Sequence, residues 1–455
     1  MTRNRVNEFI KTPRKSLLVL AYPVVIAMLV QVSYNIVDTA FVGRLGAEAI
    51  AALTFSFPLF FILTAINAGI GTGMASMISR FLGAKNKKQA ENTAVHGIII
   101  SLALALGIFL AAFFALKPLF TLLGAQGSVL QLATDYTSII LMGIFIMFPT
   151  FVITSIFSAQ GDTRTPMKIQ VIGLIANIIL DPIFIYVFGL GVKGAAIATV
   201  IAMLLGLSLG IYYLKKRSYL NVKLKCFKYS NKITREIFYI GIPASLMMIL
   251  VSVYIIFLNR FAAHFGTEYV ATSGIAYRLD SLAFLPVVGF TTALSTLVGM
   301  FYGAKRYDLL RGIVSFAVKI GFGFTLLISV IFFIFPQIFL RIFTEDPVLL
   351  SLGASYMRIY VWTFPFVVFT IVGARTLQAI GKGMPGLIIN LVRILVVAIP
   401  LAYIFVFVLG YGFVSIAVAM IIGNIIGAIT ALIILRFYFK KFGILSGPKS
   451  LASPK

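Results

Sequence analysis

Cysteine is nearly missing from this chain. One residue, Cys226, in 455 positions leaves no internal disulfide and no thiolate metal cluster. The two histidines, His96 and His264, stand far apart without the spacing of metal ligands. Acids are scarce as well, with 13 Asp and Glu against 38 Lys and Arg, and charged residues make up only 11% of the whole. No GxGxxG loop opens a soluble-type helix, no P-loop is present, and no Ser/His/Asp set is credible. These absences argue against a nucleotide-driven pump and against an enzyme, and no cofactor is called for.

What the chain has in abundance is apolar surface. It is 60% hydrophobic with a mean hydropathy of +1.05, a composition that soluble globular proteins do not reach. Apolar runs of about 20 residues, long enough to cross a bilayer, recur twelve times, near residues 16–42, 50–79, 92–116, 129–156, 167–188, 194–214, 237–262, 269–300, 312–335, 348–374, 387–409 and 412–438. The first run is too long for a signal-peptide core and has no small-residue cleavage site, so it reads as a retained span. The fold class expected is all-α and polytopic, with twelve transmembrane helices in two six-helix lobes. The lobes are placed at 1–214 and 237–439, with a basic linker at 215–236 and a tail at 440–455.

The net charge of +25 follows the membrane topology. Lys and Arg concentrate in the N-terminal tail (Arg3, Arg5, Lys11, Arg14, Lys15), the second linker (Arg80, Lys85, Lys87, Lys88) and the central linker from Lys215 to Arg235. The intervening linkers carry single residues such as Arg44, Lys117 and Lys193. The positive-inside rule then puts both termini in the cytoplasm of a cell-membrane protein. The basic excess is accounted for by topology and contact with anionic membrane lipids, and nucleic acid is not an expected partner.

The chain also repeats itself. Shifted by 220 positions, Pro23 falls on Pro243, Gly46 on Gly266, Gly83-Ala-Lys85 on Gly303-Ala-Lys305, Tyr136 on Tyr356 and Gly161 on Gly381. Six spans return the chain to the same side, so the halves are expected to be parallel repeats. In such transporters, substrate and ion sites lie near the repeat interface or the cavity beside it.

Within the spans only four acids occur: Asp38, Asp135, Asp181 and Asp280. A carboxylate there costs roughly 2.5–3.5 kcal/mol on insertion scales and usually marks an ion or substrate path. Gln31, Asn35 and Asp38 fall at i, i+4 and i+7 on one helical face, and Asn177 and Asp181 at i, i+4. Counting depth at ~1.5 Å per residue brings Asn35, Asp38, Tyr136, Asn177, Asp181 and Thr199 into one outer-leaflet layer. Two carboxylates close together in a low dielectric cannot both ionise cheaply, which suits a proton carrier. The same oxygens of Asp38, Asn177, Asp181 and Thr199 would also hold Na⁺. In the second half the counterpart of Asp38 is Leu258 and that of Asp181 lies near Ile399, so the layer belongs to the first half alone. Asp135 reads either as functional or as snorkelling outward. Arg278 and Asp280 read either as an internal pair or as cavity wall. Pro23, in the middle of the first span, reads either as a static kink or as a hinge. Gln31, Met28 and Thr154 join Asp135, Arg278 and Asp280 as candidate cavity residues.

The run from Asn35 to Gly46 (NIVDTAFVGRLG), Arg80 to Lys85 (RFLGAK), Ser158 to Pro166 (SAQGDTRTP) and Asn177 to Pro182 (NIILDP) resemble the multidrug and toxic compound extrusion (MATE) transporters. The resemblance covers almost the whole chain. It implies two six-helix lobes forming a V around a central cavity. It also implies efflux of organic, mostly cationic compounds in exchange for H⁺ or Na⁺, by a monomer. It assigns Asp38, Asn177 and Asp181 to a cation site in the first lobe, with Tyr136 and Thr199 beside them and Pro23 as the kink-forming proline. Thr154 stands where the family often has Asn. The NorM-like branch carries acids in spans 7 and 10, where this chain has none, and the chain looks closer to the DinF-like branch with its archaeal members. A lipid-linked oligosaccharide flippase of the same superfamily is the alternative reading, with Arg278, Arg358, Arg375 and Arg393 as its candidate cavity cations. A major-facilitator-type importer is disfavoured, because its charged signature between spans 2 and 3 is missing from Arg80 to Asn92.

Overall fold

A computed structural model describes residues 5–444, and for Asn35 the backbone alone. The Asn35 side chain, Arg3 and the tail after Ile444 therefore lie outside the described residues. Among those residues every regular element is helical. The spans are α1 (Pro13–Gly43), α2 (Ala47–Gly83), α3 (Lys87–Leu122), α4 (Gly127–Met142 and Ile144–Ala159, bent by 49°), α5 (Arg164–Val187) and α6 (Gly191–Arg217). The second series is α7 (Asn231–Ala263), α8 (Thr267–Gly303), α9 (Tyr307–Ile334), α10 (Pro347–Ala379), α11 (Gly383–Val408) and α12 (Ser415–Lys441). Among the described residues eleven of the apolar runs become helices long and apolar enough to span a membrane, and the bent pair of α4 makes a twelfth when its two halves are counted as one span. In lipid each backbone N–H and C=O must be satisfied within its own helix, which leaves the helix as the form for such runs.

By contact the chain forms two compact units. One comprises Met1–Glu8 and Tyr22–Ile242, the other Phe9–Ala21 and Pro243–Lys455. Both α1 and α7 therefore change unit at a proline, Pro23 and Pro243, each with no N–H to give to the helix ladder. Inside the first unit the basic linker is pinned to the start of α3. Asn92 Nδ2 donates to the Lys228 carbonyl at 2.9 Å, and Asn92 Oδ1 accepts from Lys228 N at 3.0 Å. Glu91 accepts from Asn221 N at 2.8 Å, and Arg80 pairs with Glu236 at 2.6 Å. The buried His96 accepts from Ser230 N at 3.1 Å, so its role is to hold this linker.

The repeat is written into the backbone. Lys85 and Lys305 both take positive φ, 59° and 56°, and close α2 and α8 in the same left-handed turn. The α4 bend lies at Gly143, and 220 positions on α10 is interrupted by the turn Val361–Thr363. π-helical turns at Ile183–Val187 and Ile404–Val408 end α5 and α11. Tight crossing is set by small residues. Gly194, at the start of α6, faces the backbone of that first π turn, where an added Cβ would stand 2.5 Å from the Phe184 carbonyl oxygen. Ala195, Ala196 and Ala198 follow it, all fully buried.

Gly194→Val is expected to cost about 1–3 kcal/mol, because backbone cannot yield as a side chain does. Gly107→Ala, where nothing lies within 4 Å, should be neutral or slightly stabilising. Thermal unfolding of the purified variants in detergent checks the pair. A Gly194→Val protein as stable as wild type would contradict the crossing described.

Candidate cation site

The close approach of α5 and α6 positions a polar cluster inside the first unit. On α5, Asn177 and Asp181 are wholly buried, and Asn177 Nδ2 donates to Asp181 Oδ1 at 2.9 Å, as their one-turn spacing allows. Pro182 and the π turn follow at once, so the helix ladder is rearranged just beyond the carboxylate. Such π turns recur at functional sites. On α6, Thr199 sits about one turn past the glycine-alanine contact and is 4% exposed. On α1, Tyr34 donates its hydroxyl to Thr199 Oγ1 at 3.1 Å, tying the first helix to the sixth. Asp38, one turn after Tyr34, is half-buried.

These groups share one electrostatic field. The charges of Asp38 and Asp181 act on each other, and both act on Tyr34 and on Tyr136 of α4. Tyr136 packs against an apolar cluster of Val42, Ala49, Ile185, Val192 and Ala195, which closes the site toward the Gly43 end of α1. After all internal bonds are made, Asp38 Oδ1, Asn177 Oδ1 and Asp181 Oδ2 remain buried without a donor. Buried polar atoms are nearly always paired, and three acceptors left over in one cluster form a place for positive charge. A proton would give one carboxylate a donor to offer the other oxygens. A sodium ion would take all three as ligands.

The structure thus brings together Asp38, Asn177, Asp181, Tyr136 and Thr199 from the sequence reading. It adds Tyr34, which that reading passed over although it stands one turn before Asp38. Gln31 is exposed and Met28 half-buried, each farther down the same helix. Thr154 lies beyond the α4 bend, and its hydroxyl is spent on the Phe151 carbonyl of its own helix at 2.8 Å.

Two readings left open by the sequence are narrowed. Asp135 does not join the cluster: Lys193 pairs with it at 3.1 Å and Gln131 Nε2 donates to it at 3.0 Å, so it is neutralised where it stands. Arg278 and Asp280 do not pair. Two residues apart on a helix, they point to roughly opposite sides. Arg278 is exposed, while Asp280 turns inward to Tyr360 and the charge of Arg393. The second half is consequently not empty of membrane-depth charge, although its charges sit at positions unrelated to the layer in the first.

Comparison with known proteins gives a consistent picture. A family model described as MatE matches residues 23–183 and again residues 243–404. The FAD transporter of Shewanella oneidensis is 28% identical, over 85% of this chain and 86% of its own length. The multidrug export protein MepA of Staphylococcus aureus is 29% identical, over 92% of this chain and 93% of its own. A crystal structure of MATE in the bent conformation has a TM-score of 0.93 at 32% identity, covering 97% of this chain and 99% of that one.

Asp135→Asn removes a partly exposed ion pair and is expected to shift stability by less than about 1 kcal/mol, leaving dye flux within about twofold of wild type. Thermal unfolding together with a liposome flux assay decides this. A transport defect as deep as that of Asp38→Asn would return Asp135 to the site.

Proposed function

The chain belongs to the MatE family and is a multi-pass membrane transporter rather than an enzyme; from that premise we propose that it is a secondary active exporter of organic cations driven by H⁺ or Na⁺. The observation that carries this reading is the set of three buried acceptor oxygens of Asp38, Asn177 and Asp181 left without donors. Their exchangeable partner is the coupling ion. The multidrug export relative supports small molecules as cargo. The distribution of Lys and Arg supports a cell-membrane location with both termini in the cytoplasm.

The steps follow from charge balance. Without the ion, the cluster carries the repulsion of two carboxylates in a poorly screened setting, and a cationic substrate nearby is attracted. When H⁺ or Na⁺ enters, the negative charge falls and that attraction weakens, so substrate leaves as the ion binds. Tyr34 and Thr199 hold α1 to α6 throughout. Pro23 lies 15 residues before Asp38, about 22 Å along α1. There the missing ladder bond gives the helix a soft point at which a change in the cluster is expressed as a bend. Exchange of ion for substrate, rather than co-transport, follows because both neutralise the same oxygens.

Flux of a cationic dye in proteoliposomes tests this under an imposed pH gradient or an imposed Na⁺ gradient. Wild type should respond to one of them. Asp38→Asn and Asp181→Asn should each fall to below about a tenth of the wild-type rate, the loss that 1.4 kcal/mol or more produces. Gradient-driven flux of undiminished rate in Asp38→Asn would sink the proposal.

A further inference from the structure

The second unit contains a charged pair that the cation site does not use. Asp280 lies about three and a half turns inside α8, and Arg393 almost three turns inside α11. Both stand well away from either end of their helices, where a charge is costly unless it serves a purpose. Each charge acts on the other, yet no ion pair within 4.0 Å joins them among the described residues. Each is instead held by neighbours. Asp280 shares a hydrogen bond with Tyr360, and Tyr360 is stacked on Tyr356 at 5.5 Å. Arg393 donates through Nη1 to Asn424 Oδ1 at 3.2 Å.

The setting of Arg393 is built for it. Gly423 and Gly427 of α12 flank Asn424, and an added Cβ would stand 2.9 Å from the Arg393 carbonyl oxygen at the first and 3.0 Å from the Arg393 stem at the second. Residues Val392–Ala398 form a π-helical segment, whereas Arg164–Pro182 in the matching part of α5 is α-helical throughout. A departure from the repeat therefore coincides with the arginine. Hydrogen-bonding capacity is left over: Arg393 Nε is buried without a partner. Asp280 and Arg393 both remain partly exposed, so the pair is not sealed inside the helix packing.

Opposite charges held apart, with the Arg393 Nε left without an acceptor, fit a ligand that carries both signs. We propose that Asp280 and Arg393 form a substrate subsite for zwitterionic organic molecules, with the ligand's cationic group at Asp280 and its anionic oxygen at Arg393. Tyr254, whose hydroxyl lies in the field of both charges, borders the same space. The proposal rests on the reading of the chain as a small-molecule exporter. It adds a determinant of which molecules are accepted.

The protein has a single tryptophan, Trp362, two residues from Tyr360, and its fluorescence reports binding in this unit. The probes are tetramethylrhodamine, a zwitterion, and its methyl ester, which keeps the cation and loses the carboxylate. They are titrated into purified protein in detergent. Arg393→Gln should weaken the zwitterion by about tenfold, the scale of one lost charge-assisted hydrogen bond, and leave the ester within about twofold. Asp280→Asn should weaken both. If Arg393→Gln does not fold, Arg393→Lys carries the test. It keeps the charge without the Nε donor and should weaken the zwitterion several-fold while sparing the ester. Equal loss for both probes in the arginine variants, or no loss, overturns the proposal, as does unchanged binding in Asp280→Asn. Binding needs no gradient, so this outcome is independent of whether H⁺ or Na⁺ drives transport.

Discussion

The buried acceptor oxygens of Asp38, Asn177 and Asp181 impose the constraint on which the first unit depends. Taking a carboxylate out of water is expensive, and leaving its oxygens without donors adds to the cost. That cost is met by position. Asn177 gives Asp181 one donor, Pro182 and its π turn rearrange the ladder beyond the carboxylate, and the Gly194–Ala198 stretch lets α6 come close enough for Thr199 to meet Tyr34. Any of these changes made alone would cost stability with no return. Together they produce a buried cluster in which three acceptor oxygens remain without donors.

The two halves share a backbone and differ in charge. Helix closures at Lys85 and Lys305, breaks near Gly143 and Thr363, and terminal π turns recur at nearly the same interval. Leu258, opposite Asp38 in the repeat, packs instead against an aromatic core that contains Phe261, Tyr356 and Phe364. The first unit thus concentrates negative charge, while the second carries the acid Asp280 together with bases such as Arg375 and Arg393 at other positions of the repeat. A duplicated scaffold thus carries unlike charges in its two halves.

Much of this was legible in the residues. Apolar run length marks the spans because lipid offers the backbone no alternative partner. Gly and Pro at a fixed interval mark the repeat. The i, i+4 spacing of Asn177 and Asp181 marks their hydrogen bond before any coordinates. What the sequence hid depends on partners distant in the chain. Nothing local to Asp135 points to Lys193, 58 positions on. Tyr34 reads as one more aromatic until Thr199 is found beside it. The inward turn of Asp280 was available from the helical angle between it and Arg278, and its place in the field of Arg393, 113 positions on, was not. The π segment at Val392–Ala398 has no sequence rule of its own.

The placement of the prolines carries the reasoning one step further. A proline inside a helix is tolerated where bending is useful or where the lost bond is compensated. Pro23 and Pro243 occur where α1 and α7 pass from one compact unit to the other. At such a point the residues on either side belong to different compact units. Removing one bond from the ladder there weakens the connection where it matters most and leaves each core intact. Asp38 and Tyr34 lie on the same side of Pro23 as the rest of their cluster. The oxygens of that cluster therefore sit within the first unit's own packing, and Pro23 stands at the edge of that unit.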